Sequence, residues 1–287
     1  MIVWLEGSLI PRQYKTIPVR DSRQRPSRHL LSKSKWVKQG RWHDETQFSQ
    51  GLRTSLLQMG NIKSLTLYDF DWLWTISHSV VRTALVPGSL TSLILSGPAY
   101  RGGFRRTGGN YELAMILRQQ PLFERLELRA GDWNMDEWIL PTDIPHLRTL
   151  VSGVIEAIKL VPCRPVTSLN LIDIRQVPED AAWQALATSA SPILTLVLNI
   201  GLNHLKGILR GAAAYLIEVE SLYLKGICAQ DLGVIRKRFP MFHRLRTVHV
   251  PPGVCWHIIT DPQRINFTEG IKLRCPSIEE VFLERVV

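Results

Sequence analysis

Phe123-Glu-Arg-Leu126-Glu-Leu128 and Val219-Glu-Ser-Leu222-Tyr-Leu224 are two copies of one pattern: apolar, x, x, apolar, x, apolar. Working outward from them, nine copies fit between Ile62 and Leu283, with fourth positions at Leu65, Leu93, Leu126, Leu150, Leu169, Leu196, Leu222, Val248 and Val281. Successive copies lie 19 to 33 residues apart. Of the 27 positions that the pattern requires to be apolar, 26 are, and Ser152 is the exception. A chain of 45% apolar composition would supply about 12 in an arbitrary register, so the pattern marks structure. Alternation over the last three positions is that of a strand with one buried face. One strand per 20 to 50 residues predicts an array whose units pack only on their neighbours.

The segments between strands read as helices. Tyr111 to Gln120 carries Leu113, Ile116 and Leu117 on one face and stops before Pro121. Pro178 to Ser189 has an early proline and two acids, Glu179 and Asp180, in its first turn. Leu202 to Leu216 follows, and then Gln230 to Phe239, which ends in Arg236, Lys237 and Arg238 where the helix dipole favours cations. Asp71 to Val86 and Asp132 to Ile139 are weaker helical patterns. Parallel strands alternating with helices predict an α/β fold: a leucine-rich-repeat solenoid, a ribonuclease-inhibitor-like horseshoe of about nine strands with helical linkers. The 19-residue step from Leu150 to Leu169 holds Pro162 and Pro165 and is too short for a full helix, which predicts an irregular arc there.

The array is expected to occupy residues 46–287. Phe48, Leu52, Leu56 and Leu57 predict a helix that caps its open end. Residues 1–45 lack periodicity, contain Pro11, Pro18 and Pro26, and read as a basic, mostly disordered tail. The net charge of +10 is concentrated there: ten Lys/Arg against four acids give +6, and the remaining 242 residues hold +4. A polyanion-binding role would therefore belong to the tail, and nucleic acid is not the partner expected of the repeats. The four cysteines, Cys163, Cys228, Cys255 and Cys275, form no Cys-x-x-Cys pair, which favours buried thiols in a reducing cytoplasmic or nuclear setting. Residues 181–205 carry no Lys, Arg, Asp or Glu, yet their polar residues and embedded repeat predict a buried helix, turn and strand, with no membrane partner.

The irregular repeat lengths, the Trp-rich connection Asp71-Trp72-Leu73-Trp74 and the repeat start Cys275-Pro276-Ser277-Ile278-Glu279-Glu280-Val281 resemble the leucine-rich-repeat proteins of mushroom-forming fungi, many with an F-box ahead of the repeats. The resemblance covers residues 46–287. It implies that the repeats hold a protein while an F-box docks on the adaptor of a cullin-based ubiquitin ligase. Residues 1–45 do not show the Leu-Pro-led helices of an F-box, so a cullin-ligase adaptor is expected as partner only if a longer form carries one.

With the fourth and sixth positions turned to the core, the third, fifth and seventh face the concave side. The third column is Ser64, Ser92, Arg125, Thr149, Ser168, Thr195, Ser221, Thr247 and Glu280, dominated by hydroxyls. The fifth runs Thr66, Ile94, Glu127, Val151, Asn170, Val197, Tyr223, His249 and Phe282, and the seventh includes Tyr68, Arg129, Asn199 and Lys225. Such a mixed, mildly apolar strip suits a protein partner better than phosphate. The expected contacts are Tyr68, Arg125, Glu127, Arg129, Asn170, Tyr223, Lys225, His249 and Phe282, with Arg125, Arg129, Tyr68 and Tyr223 leading because aromatics and arginine dominate hot spots. The alternative is that Ser and Thr merely fit a crowded parallel sheet.

Signals of catalysis are thin. Gly103-Phe-Arg-Arg-Thr-Gly108-Gly109-Asn110 has phosphate-loop spacing, but Gly109 and Asn110 stand where Lys and Ser/Thr would reach phosphate and magnesium. Cys255-Trp256-His257 supplies too few ligands for zinc and nothing to orient the histidine. Asp71, Asp132 and Asp136 beside tryptophans read as helix starts. The expectation is a monomeric, non-enzymatic interaction scaffold with no cofactor or metal.

Overall fold

The computed structural model describes residues 2–7, 33–37, 62–68, 87–96, 109–129, 139–140, 142–200, 204–227, 231–250 and 261–283. Nine parallel strands, β3 (Ile62–Tyr68), β4 (Ser92–Ser96), β5 (Arg125–Arg129), β6 (Thr149–Ser152), β7 (Ser168–Ile174), β8 (Thr195–Ile200), β9 (Ser221–Lys225), β10 (Thr247–Val250) and β11 (Glu280–Leu283), lie side by side in chain order. Each of the eight pairings places fourth position opposite fourth position, from Leu65 opposite Leu93 through to Val248 opposite Val281. The repeat alignment read from the sequence is therefore the hydrogen-bonding register of the sheet.

Burial explains why this register holds. All nine first-position residues are buried, and so is every fourth-position residue except Val281, which is partly buried at the end of the sheet. A slip by one residue would turn the whole set toward solvent. Ser152, the exception to the pattern, sits fully buried at its sixth position and satisfies its hydroxyl by donating to the Gly153 carbonyl at 3.0 Å.

A backbone device recurs with the side chains. The second-position carbonyl of one repeat accepts the second- and third-position N–H groups of the next: Thr91 from Glu124 and Arg125, Glu124 from Arg148 and Thr149, and onward to Arg246 from Glu279 and Glu280. All these bonds are 2.8 to 3.1 Å long. A turn precedes most strands, with the first-position N–H donating to the carbonyl three residues back, as in Phe123 to Gln120, Leu245 to Phe242 and Ile278 to Cys275.

Helices α1 (Gly109–Gln119), α2 (Val154–Leu160), α3 (Asp180–Ala187), α4 (Leu205–Tyr215), α5 (Leu232–Arg238) and α6 (Asp261–Arg274) connect the strands, and α2 through α6 pack each on the next. The four clear helical patterns in the sequence correspond to α1, α3, α4 and α5. α1 begins two residues before its pattern and stops one short of it, while the other three are each three or four residues shorter than theirs. Thr188 and Leu216 leave the helical conformation after α3 and α4, and α5 passes into a 3-10 helix at Phe239–Met241, while Leu202, Asn203 and Gln230 lie outside the described residues. The short step between Leu150 and Leu169 accommodates the seven-residue α2, whose last turn is closed by a buried arginine. Arg164 Nη1 donates to the carbonyls of Lys159 at 3.2 Å and Leu160 at 3.1 Å, and Nη2 to that of Leu140. Burial pulls its pKa down, opposed by Asp143 and Cys163. Residues 181–205 contain most of α3, a turn and β8, as the sequence predicts. No helix among the described residues is long and apolar enough to cross a membrane.

Three observations depart from the sequence reading. β1 (Ile2–Gly7) and β2 (Lys33–Val37) fall within the segment predicted to be mostly disordered, and β1 pairs antiparallel with both β2 and β3. The run Ile2-Val-Trp-Leu is rich in strand-forming residues, and it covers a sheet edge that β3 would otherwise expose. The 14-residue α6 is absent from the sequence reading because its apolar stripe is sparse: Phe267, Ile271 and Cys275 are buried, while Ile265 and Leu273 are exposed. Cys163 is exposed with φ of 60°, against the expectation of buried thiols; Cys275 is buried, which pushes its thiol pKa up against the opposing pull of Arg274. The expected capping helix and the pattern from Asp71 to Val86 lie outside the described residues, as does the pattern from Asp132 to Ile139 except for Ile139 itself, which packs against the core.

Candidate functional site

Because strand side chains alternate, the third, fifth and seventh columns occupy the sheet face turned away from the helices. Two clusters form there. The first centres on Glu127, in the sequence Arg125-Leu-Glu-Leu-Arg129, whose alternation points both arginines and the acid to one side of β5. The Glu127 side chain has no exposure, whereas those of Arg125 and Arg129 are 52% and 50% exposed. Arg125 Nε donates to Oε1 at 2.9 Å, with Nη2 on the same oxygen; Arg129 Nε donates to Oε2 at 2.8 Å and its Nη2 lies 2.6 Å from that oxygen.

The neighbouring strands explain how a carboxylate is buried at this point. Ile94 on β4 and Val151 on β6 flank Glu127 in register and exclude water. Three charge-assisted hydrogen bonds, with the close approach of Arg129 Nη2, replace the lost hydration. Two guanidinium groups and one carboxylate leave a net charge of +1. Ser92 and Ser96 stand opposite Arg125 and Arg129 on β4, and Thr149 stands opposite Arg125 on β6.

The second cluster is a ladder of rings. In-register parallel strands set identical positions about 4.8 Å apart, which is close to ring-stacking distance. Tyr223, His249 and Phe282 use this spacing: the Tyr223 and His249 rings lie 4.1 Å apart at 4°, and those of His249 and Phe282 4.3 Å apart at 11°. Phe282, on the last strand, remains 43% exposed. Between the two clusters run Val151, Asn170 and Val197, with Asn170 Oδ1 buried and without a hydrogen-bond partner among the described residues.

Of the nine predicted contacts, the structure thus gathers Arg125, Glu127 and Arg129 at one place and Tyr223, His249 and Phe282 at another, with Asn170 between them. Lys225 is exposed at the end of β9, in register with Asn199. Tyr68 pairs with Ser96 at the end of β3, and its side chain lies outside the described residues. The sequence places Glu127 on this face as a contact in its own right, without showing its burial beneath the arginines. The Arg-x-Glu-x-Arg alternation was the available signal.

Gly109 and Asn110, where a phosphate loop would need Lys and Ser/Thr, are the first residues of α1. Gly103 to Gly108, Cys255-Trp256-His257, Asp71, Asp132 and Asp136 lie outside the described residues. Asn266 of the sequon-like Asn266-Phe267-Thr268 is exposed within α6 while Phe267 is buried. Among the described residues no group of three or more His, Cys, Asp or Glu could hold a metal ion. No protein-family model matches the chain, and no curated protein matches it.

Proposed function

We propose that the chain is a leucine-rich-repeat solenoid of the ribonuclease-inhibitor-like kind that acts as a non-enzymatic interaction scaffold, holding a protein partner on its concave face. The observation that carries this reading is that both clusters are ordered by contacts within the sheet itself. Arg125 and Arg129 are tied to Glu127, and the three rings are tied to one another, so little side-chain entropy remains to be lost on binding. Arginine and tyrosine are also the residue types that most often dominate interface energetics.

The resemblance to F-box repeat proteins extends the proposal to a substrate-receptor role in a cullin-type ubiquitin ligase. Affinity purification of the tagged full chain from its source cells, with and without proteasome inhibition, tests both levels. Partners are expected with the wild-type chain and not with the Arg125→Ala, Arg129→Ala, Tyr223→Ala triple variant. An unchanged set of partners would contradict the scaffold reading. Recovery of a cullin-ligase adaptor supports the receptor role, and its absence removes that role while leaving the scaffold. A second reading, polyanion binding by residues 1–45, is favoured by their net charge of +6. It requires affinity that falls steeply with salt and disappears when those residues are deleted.

A further inference from the structure

The geometry of the two clusters points to a ligand class. We infer that the face binds an extended segment of a partner protein that places a carboxylate side chain on Arg125 and Arg129 and an apolar or aromatic side chain on the exposed ring of Phe282. This rests on the scaffold reading above and adds the chemistry of what is held.

Glu127 takes the Nε and Nη2 side of each guanidinium. Among the described residues, the Nη1 group of each is left without a partner, on side chains about half exposed. The two outer edges present paired N–H donors in the planar fork that matches a carboxylate. Glu127 also fixes the charge at +1, which a carboxylate neutralises and a phosphate dianion would overshoot. The buried acid thereby orients both arginines and sets the valence of the anion that they accept.

Spacing supplies the second half. β5 and β9 are four strands apart, or about 19 Å at about 4.8 Å per strand, and the ladder continues from β9 to β11. An extended chain advancing about 3.3 Å per residue covers about 19 Å in roughly six residues, and about 29 Å, the distance to Phe282, in roughly nine. Val151 and Val197, on either side of Asn170, give the intervening residues a mainly apolar floor.

Selection of displayed random peptides, roughly fifteen residues long so as to span about 29 Å, on the full chain tests the inference. The enriched peptides are expected to share an acidic residue with an apolar or aromatic residue roughly six to nine positions away. Replacing that acid by its amide, or using the Arg125→Ala, Arg129→Ala chain, is expected to weaken binding roughly tenfold or more, with the melting temperature of the variant measured alongside. Phe282→Ala is expected to weaken binding while preserving the acidic preference. Enriched peptides without an acid, an acidic preference that survives the double arginine variant, or tighter binding when phosphoserine replaces the acid would each overturn the inference. Peptides that still bind after Val197→Arg would overturn the scaffold face itself, whereas peptides blocked by Val197→Arg but lacking an acid overturn only the carboxylate. A selection that enriches nothing also overturns the inference, and leaves the scaffold reading to the co-purification test.

Discussion

Glu127 is the residue on which the charged half of the face depends. Its carboxylate has no exposure and holds two half-exposed arginines, so its removal leaves two guanidinium groups facing each other over an apolar floor. Glu127→Ala is expected to lower stability by about 1 to 2 kcal/mol, less than for a wholly buried pair because water still reaches both arginines. Denaturant titration of the two chains measures this, and an unchanged midpoint would show that the arginines are indifferent to the acid. The sequence showed which way these side chains point, because alternation along Arg125-Leu-Glu-Leu-Arg129 is a local property. It did not show the burial of Glu127, which depends on Ile94 and Val151 arriving from strands 24 to 33 residues away.

Among the elements, the contacts between successive helices decide which substitutions the array tolerates. Trp183 of α3 is fully buried, and a Cβ at Gly211 of α4 would stand 2.2 Å from its Nε1. Alanine gains about 1 kcal/mol of helix propensity over glycine, while overpacking a fixed core costs about 1 to 3 kcal/mol. The collision should win, because a fully buried indole has no room to retreat. Gly211→Ala is therefore expected to lower the melting temperature, and a rise would mean that the ring has space to shift. At the short repeat, Arg164→Leu removes donors from the carbonyls of Lys159, Leu160, Pro162 and Leu140, and relieves one buried Nε that lacks a partner among the described residues. Loss of these donors at the helix end outweighs the one relieved Nε, and a loss of about 1 to 3 kcal/mol is expected. Calorimetry checks it, and a neutral result would show that water takes over the helix end. Helices with a dense apolar stripe were legible in the sequence. α6 was not, since two exposed apolar residues, Ile265 and Leu273, blur the stripe of Phe267, Ile271 and Cys275.

For the whole molecule, one sequence pattern supplies both the core and the outward columns. Its fourth positions meet in register across all nine strands because any shift would expose leucine, and that is why the fold could be read before the structure. The recurrent shared carbonyl, from Thr91 to Arg246, could not be read, since backbone bonds leave no mark on residue type. The opposite face is under no such periodic constraint, and among the described residues the ladder at the β9 to β11 end and the charged cluster on β5 stand out there. The central claim is that this face is where the partner binds. Isothermal titration of a partner segment against Val197→Arg, in the middle of the fifth column, and Ile155→Arg, exposed on α2, tests it most directly. With both variants folded by circular dichroism, binding is expected to be lost for Val197→Arg and unchanged for Ile155→Arg. Wild-type affinity in Val197→Arg would contradict it.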